Sequence, residues 1–384
     1  MKKTWILIYA LLLVFLCGCE SAGAISDEPL AIEGLTFSER VENDYAEQFA
    51  IDRYEGGYSL IQTMNGEKLL IAPEGADLPQ KINTDITVLT RPVDRIYLAA
   101  TSAMGLFAAL DCGDRVKFSG TKVDDWYIDY AVDAMKSGEM LYAGKYREPD
   151  YELLLTGGCR LSIQSTMIGH SPDVREKLEE LGIPVFVDYS SYEPHPLGRS
   201  EWIRVYAELC GEAEKAETLF REQAALLQAA EAGENTGKTA VFFYINASGQ
   251  AVTRKSGDYV TKMIELAGGE NVFSDLGDDE TASSTVTMET ERFYTAAKDA
   301  DFIIYNSAVG GEVTTIDELI LKSGLLADFK AVKNGNVWCT RENLFQETMK
   351  LGTVIADLRS IFTENTEGSP PVFLFKLEGS ERDG

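Results

Sequence analysis

The chain has 384 residues, of which 62 are acidic and 35 basic, for a formal net charge of −27, and 45% of its residues are hydrophobic. That acidity excludes nucleic acid as a partner, because phosphate binding needs clustered Lys and Arg. It also excludes adhesion to anionic lipid by charge. The apolar fraction is ample for two cores, and chains of this length tend to divide.

In chain order, Lys2 and Lys3 precede an apolar run that stops at Leu16-Cys17-Gly18-Cys19. A basic start before an apolar core of this length reads as a secretory signal, too short and too poorly flanked for a permanent spanning helix. Its ending resembles the bacterial lipoprotein signal, in which the cysteine after a Leu-x-Gly triplet is acylated. On that resemblance residues 1–18 are removed as a signal peptide and Cys19 is the lipid attachment site at the mature N-terminus. Residues 19–45 are then expected to be a lipid-anchored tether and lead-in, beginning with the polar stretch Glu20 to Glu28.

Residues 46–196 read as an N-terminal α/β lobe. Asn65-Gly66 between two apolar runs predicts a β-hairpin over 58–71. From about residue 94, short apolar strands alternate with amphipathic helices. The strands are Arg95 to Ala100, Val116 to Phe118, Leu161 to Ser165 and Pro184 to Asp188. That alternation predicts an α/β fold with a mainly parallel sheet, whose ligands sit beyond the carboxyl ends of the strands. Residues 197–234 carry apolar positions every three to four residues and predict one long connecting helix, with an interruption near Gly211 as a variant. At ~1.5 Å per residue, some 30 residues would span roughly 45 Å. The α/β rhythm restarts over 235–363, a C-terminal lobe with strands at Thr239 to Ile245, Asp301 to Tyr305 and Asn336 to Thr340, and residues 364–384 read as a tail.

Beyond the leader, Cys112, Cys159, Cys210 and Cys339 are widely spaced with no CxxC pair, so free thiols are expected rather than a disulfide or a metal knot. With only His170 and His195, a site for a bare transition metal, which takes two or three imidazoles, is disfavoured. No metal site and no resident cofactor are expected.

Two α/β lobes joined by a helix, together with Tyr192-Glu193-Pro194-His195-Pro196-Leu197-Gly198-Arg199-Ser200-Glu201-Trp202 at the entry to that helix, resemble the solute-binding lipoproteins of ABC importers. The similarity is to the long-helix class that delivers iron-siderophores, haem or cobalamin. It covers about residues 80–363 and implies a monomeric receptor on the outer face of the cytoplasmic membrane, with ABC permease subunits as partners. The cargo implied is a metal chelate such as a ferric siderophore, haem or cobalamin. In that class a glutamate at the tip of each lobe docks on the permease. Glu152 matches in the first lobe, and Glu291, with Glu289 as the fallback, in the second. For the ligand, Tyr146, Tyr192, Glu193, His195, Arg199, Arg341, Trp126, Ser165 and Arg254 are the candidates, since rings supply area and guanidinium groups meet anionic oxygens. The competing reading of the Tyr192–Arg199 stretch is structural: Glu193 and Arg199 pair to brace the loop while His195 packs.

An enzyme is the alternative. No Gly-x-Ser-x-Gly elbow, His-Glu-x-x-His or Walker motif is present, but a secreted hydrolase using a pair of carboxylates stays open. So does a surface adhesin or scaffold lipoprotein.

Overall fold

A run of aromatic, β-branched and aliphatic residues lays down a sheet before the α/β rhythm begins. In the computed structural model, which describes residues 25–277, 284–366 and 370–379, this sheet has strands β1 (Phe37–Arg40), β2 (Phe49–Tyr54), β3 (Tyr58–Thr63), β4 (Lys68–Ala72) and β5 (Thr87–Thr90), in that order. The expected hairpin is β3 and β4, antiparallel with Gln62 opposite Lys68. Its turn places Gly66 at φ 87°, a left-handed position that glycine takes without a Cβ penalty. β5 then runs parallel to β4.

The lead-in differs from the tether expected over 19–45. From residue 25 onward it is folded: Ile32 is buried against Tyr54 and Tyr58, and the half-buried Leu30 and Leu35 pack on the same cluster. Arg40 of β1 holds the buried Asp52 with two bonds, at 2.7 and 2.9 Å. Periodicity could not show this, because four exposed or half-exposed residues make up β1. The leader and Cys19 lie outside the described residues.

The first lobe carries β6 (Ile96–Leu98), β7 (Val116–Ser119), β8 (Leu141–Tyr142), β9 (Leu161–Ser165) and β10 (Val185–Asp188), ordered β10-β9-β6-β7-β8 and parallel throughout. The order reverses at β6, so a crevice opens beyond its carboxyl end. The second lobe has a parallel centre with antiparallel strands at its flanks. Its strands are β11 (Lys238–Ile245), β12 (Ala251–Arg254), β13 (Gly269–Asn271), β14 (Thr285–Thr287), β15 (Phe302–Tyr305), β16 (Val337–Thr340) and β17 (Leu374–Lys376). β13, β11, β15 and β16 form the parallel part, while β12, β14 and β17 pair antiparallel at the flanks. β17 lies within residues 364–384, so part of the expected tail is an edge strand.

The connecting segment is three helices rather than one: Pro196–Glu201, Ile203–Cys210 and Ala213–Glu231. Gly211, at φ 87°, caps the second in a left-handed turn, its N–H donating to the Ala207 carbonyl at 2.7 Å. The longest of the three has 19 residues, about 28 Å at ~1.5 Å each, well short of the expected span. It buries Ala216, Phe220, Ala224, Leu227 and Ala230 along one face, toward helix Leu351–Phe362, where Gly352 meets the backbone of Gln223. The largest apolar cluster runs from Ile96, Leu98 and Ile163 of the first lobe through Trp202, Tyr206 and Phe220 to Phe302, Ile304 and Trp338 of the second. The lobes therefore share one continuous core. Cys112, Cys159, Cys210 and Cys339 are all free thiols.

Candidate ligand-binding cleft

Parallel strands deliver their following loops to one edge of a sheet, and the two lobes turn those edges toward each other. After β7 the first lobe contributes Trp126, Tyr127 and Asp129. The second contributes Ser307 after β15, Thr340 to Asn343 at and after the end of β16, and Phe375 from β17. Between them lies a cavity of 370 Å³, within the size range of small-molecule sites. Gln346 closes one side: its amide oxygen accepts the Tyr127 N–H at 2.9 Å and its amide nitrogen donates to the Asp125 carbonyl at 2.9 Å. Behind it, a Cβ on Gly105 would stand 2.6 Å from the Gln346 carbonyl oxygen, so only glycine allows the lobes to approach this closely.

Among the predicted residues, Trp126 and Arg341 stand in this wall. Trp126 is buried and its indole N–H donates to Ser119 Oγ at 3.0 Å. Arg341 donates through Nε to the Val372 carbonyl at 2.8 Å, with its guanidinium 5.7 Å from the Phe375 ring. Two more arginines come together where the connecting helices meet the second lobe. Arg254 pairs with Asp258 at 3.2 Å and sits 5.1 Å from the Phe345 ring. Arg199 stacks 3.7 Å from the Tyr259 ring, donates to the Ser191 carbonyl at 2.6 Å and leaves Nε without a partner. Burial lowers the Arg199 guanidinium below its ordinary value.

The sequence from 98 to 344 matches the model of the periplasmic binding protein family. The chain belongs to that family. It is 24% identical over 319 residues to an uncharacterized lipoprotein of Methanocaldococcus jannaschii, covering 79% of this chain and 74% of that one. To the vitamin B12-binding protein of Vibrio parahaemolyticus it is 22% identical over 259 residues, covering 66% of this chain and 84% of that protein. Among solved structures, the periplasmic haem-binding protein HutB of Vibrio cholerae shares the fold with a TM-score of 0.57 at 18% identity, over 69% of this chain and 98% of that one. The matched region starts at residue 98, so the whole first sheet precedes it.

In this periplasmic binding protein, the remaining predicted residues divide. Tyr192 is exposed and packs 5.6 Å from Tyr189. The Tyr146 hydroxyl accepts from Arg147 Nε at 2.7 Å. Ser165 ends β9 opposite Asp188 of β10. Glu193 and His195 leave the candidate ligand set. Glu193 is buried, and its carboxylate accepts the backbone N–H groups of Glu47 at 2.7 Å and Gln48 at 3.0 Å; it does not pair with Arg199. His195 caps helix Pro196–Glu201, with Nδ1 accepting the Leu197 N–H at 3.1 Å, and stacks on Tyr45 at 4.4 Å. Glu193 therefore turns to the segment that leads into β2, and His195 lines a separate cavity with Glu231, Asn235 and Lys262 rather than the one beside Trp126.

Sequence reading missed Asp129, Ser307, Glu312, Asn343 and Phe375 as wall residues. Ser307 and Asn343 lie two and three residues past the ends of predicted strands and were within reach of the rule that ligands lie beyond strand ends. Phe375 was not, because its strand sat in the expected tail. Glu152 is exposed in the first turn of helix Tyr151–Thr156, whose cap is the Asp150 side chain accepting the Leu153 N–H at 2.9 Å. Glu289 and Glu291 are exposed at the start of helix Thr290–Ala297. No helix among the described residues is long and apolar enough to cross a membrane.

Proposed function

We propose that this protein is a lipid-anchored, extracytoplasmic receptor of an ABC import system. It takes a metal chelate, such as a ferric siderophore, haem or cobalamin, between its lobes and delivers it to the permease. The observation that carries the reading is the cavity walled by both lobes at the carboxyl ends of their parallel strands, with Trp126 on one side and Arg341 and Asn343 on the other. Relatives named for binding vitamin B12 and haem support the ligand class. Membership of a binding-protein family favours a receptor over the hydrolase and scaffold alternatives.

Lipid on Cys19 would hold the receptor near its permease and raise the local concentration at which weak docking works. Exposed carboxylates at Glu152 and Glu291, or Glu289, would meet arginine forks on the permease subunits, where bidentate geometry gives register as well as attraction. The protein acts as a monomer in this scheme. The test is protein purified from its native host, read by absorption and native mass spectrometry. A chelate carried at one equivalent is expected; protein free of ligand that also fails to bind added chelates would overturn the reading.

A further inference from the structure

Two of the four cysteines, widely spaced in sequence, meet in the fold. Cys112 follows the first helix of the first lobe, Met104–Ala109, and Cys210 ends the connecting helix Ile203–Cys210. Their thiols hydrogen-bond each other inside the largest apolar cluster. Contacts on either side hold the pairing in place. Earlier in the two helices, the Phe107 and Tyr206 rings pack 4.9 Å apart. Just beyond Cys210, Lys215 pairs with Asp111, the neighbour of Cys112. The Cys112 N–H donates to the Phe107 carbonyl at 2.9 Å, and the Leu209 carbonyl accepts the Val93 N–H at 2.9 Å, so the backbone is tied at both thiols.

Cys159 and Cys339 have no second thiol beside them among the described residues. Cys159 Sγ donates to the Leu161 carbonyl at 3.5 Å, and burial pushes both thiols up. Cys112 differs, because the Cys210 hydrogen bond and the Arg115 guanidinium hold its thiol below the ordinary value, which favours the thiolate that exchange needs.

We infer that Cys112 and Cys210 are a disulfide-forming pair, closed in the exported protein and tying the Met104–Ala109 helix of the first lobe to the connecting segment. This rests on the reading that the chain works outside the cytoplasm, where disulfides persist. The same helix carries Gly105, which packs on the Gln346 backbone of the second lobe, so the bond fastens the element on which the lobes meet.

The bond forms by exchange with a disulfide oxidant, either a low-molecular-weight disulfide or the active-site disulfide of an oxidoreductase. The Cys112 thiolate attacks one oxidant sulfur and expels the other as a thiolate, which takes up a proton. The Cys210 thiol then gives its proton to solvent and attacks the Cys112 sulfur, expelling the second oxidant thiolate. The pair loses two electrons and two protons, and the oxidant is reduced to two thiols. Cys112 and Cys210 are 5% and 8% exposed, so exchange belongs to the folding chain and is slow in the finished fold.

The test unfolds the purified protein in guanidinium with reductant and refolds it in a buffer of oxidised and reduced glutathione. Iodoacetamide traps the free thiols, and a digest made without reductant is read by mass spectrometry. The Cys112 and Cys210 peptides should appear joined, two hydrogens lighter than their sum and separable by reductant, with Cys159 and Cys339 alkylated. Closing a loop of about 100 residues should raise the melting temperature by roughly 5 °C over the reduced protein. The double variant Cys112→Ala, Cys210→Ala should melt alike with and without reductant. Alkylation of both cysteines after refolding, linkage to other cysteines, or a reductant-sensitive melt in the double variant would overturn the inference, as would host protein acylated on Cys19 with both thiols free. The same mapping on protein from its native host separates the two readings. If the refolded pair closes but host protein has both thiols free and no lipid on Cys19, the export reading fails and the pair stands. If the refolded pair stays open while host protein begins at an acylated Cys19, the inference fails and the export reading stands.

Discussion

The indole N–H of Trp202 donates to the carboxylate of Glu193 at 2.8 Å, nine residues back along the chain and inside the core. With the backbone N–H groups of Glu47 and Gln48, this gives the carboxylate three donors. Two further glutamates of the connecting segment do the same work. Glu201 accepts the N–H groups of Asp44, Tyr45 and Ala46 at 2.7, 2.8 and 2.7 Å. Glu208 accepts from Arg53, Arg91 and the Ser59 hydroxyl, at 2.9, 3.2 and 2.6 Å. The first sheet is thus fastened to the helices between the lobes through three buried acids.

Glu193→Gln keeps the shape but turns an N–H₂ toward donors. A buried donor left unsatisfied costs about 1–3 kcal/mol, so the variant should lose stability of that order in urea unfolding. Ligand selectivity should not change. A variant of full stability with altered ligand preference would return Glu193 to the cleft.

His195 ties stability to acid. Burial lowers its imidazole to about 4, against about 6.5 in an unfolded chain, and the neutral ring is the form that accepts the Leu197 N–H. The contribution is complete above about pH 6.5 and is lost as pH falls from there toward 4. His195→Asn keeps a capping acceptor and removes the titration. The stability difference between wild type and variant, followed from pH 7 to 4, should therefore move against the wild type; a constant difference would remove His195 from the acid response.

Gly105→Ala tests how closely the lobes must meet. In a helix, alanine alone would add up to about 1 kcal/mol. Here the new Cβ meets the Gln346 carbonyl oxygen at 2.6 Å, and overpacking of this kind costs about 1–3 kcal/mol. The variant should melt lower and bind its ligand more weakly, because Gln346 bridges to Asp125 and Tyr127. A stabilised variant would show the contact to be soft.

Glu152→Ala combined with Glu291→Ala should abolish uptake in cells while leaving ligand affinity in solution intact, since both acids are exposed on the lobe surfaces rather than in the cavity wall. Unchanged uptake would move docking elsewhere, with Glu289 the next residue to replace.

Sequence pattern was enough for the two α/β lobes, the hairpin at Asn65-Gly66 and the strand ends that build the cleft, because each rests on local periodicity. It was not enough for the acids of the connecting segment. Glu193 looked like a cleft residue because it follows a strand end, and only the fold reveals that Glu47 and Gln48, far away in sequence, aim their N–H groups at it. The same holds for the helix break at Trp202, where apolar spacing runs on unbroken. Phe375 and Asn343 share a wall through the pairing of β17 with β16, a non-local contact that no window of sequence contains.

Equilibrium titration of ferric siderophores, haem and cobalamin, read by tryptophan quenching, bears most directly on binding between the lobes when wild type is set beside Asn343→Trp. That substitution places bulk in the cavity at a side chain with no hydrogen-bond partner for its oxygen. The account predicts saturable one-to-one binding of at least one chelate by the wild type, and at least tenfold weaker binding by a variant of unchanged melting temperature. Equal affinity in the two proteins, or no binding of any chelate by the wild type, would contradict it.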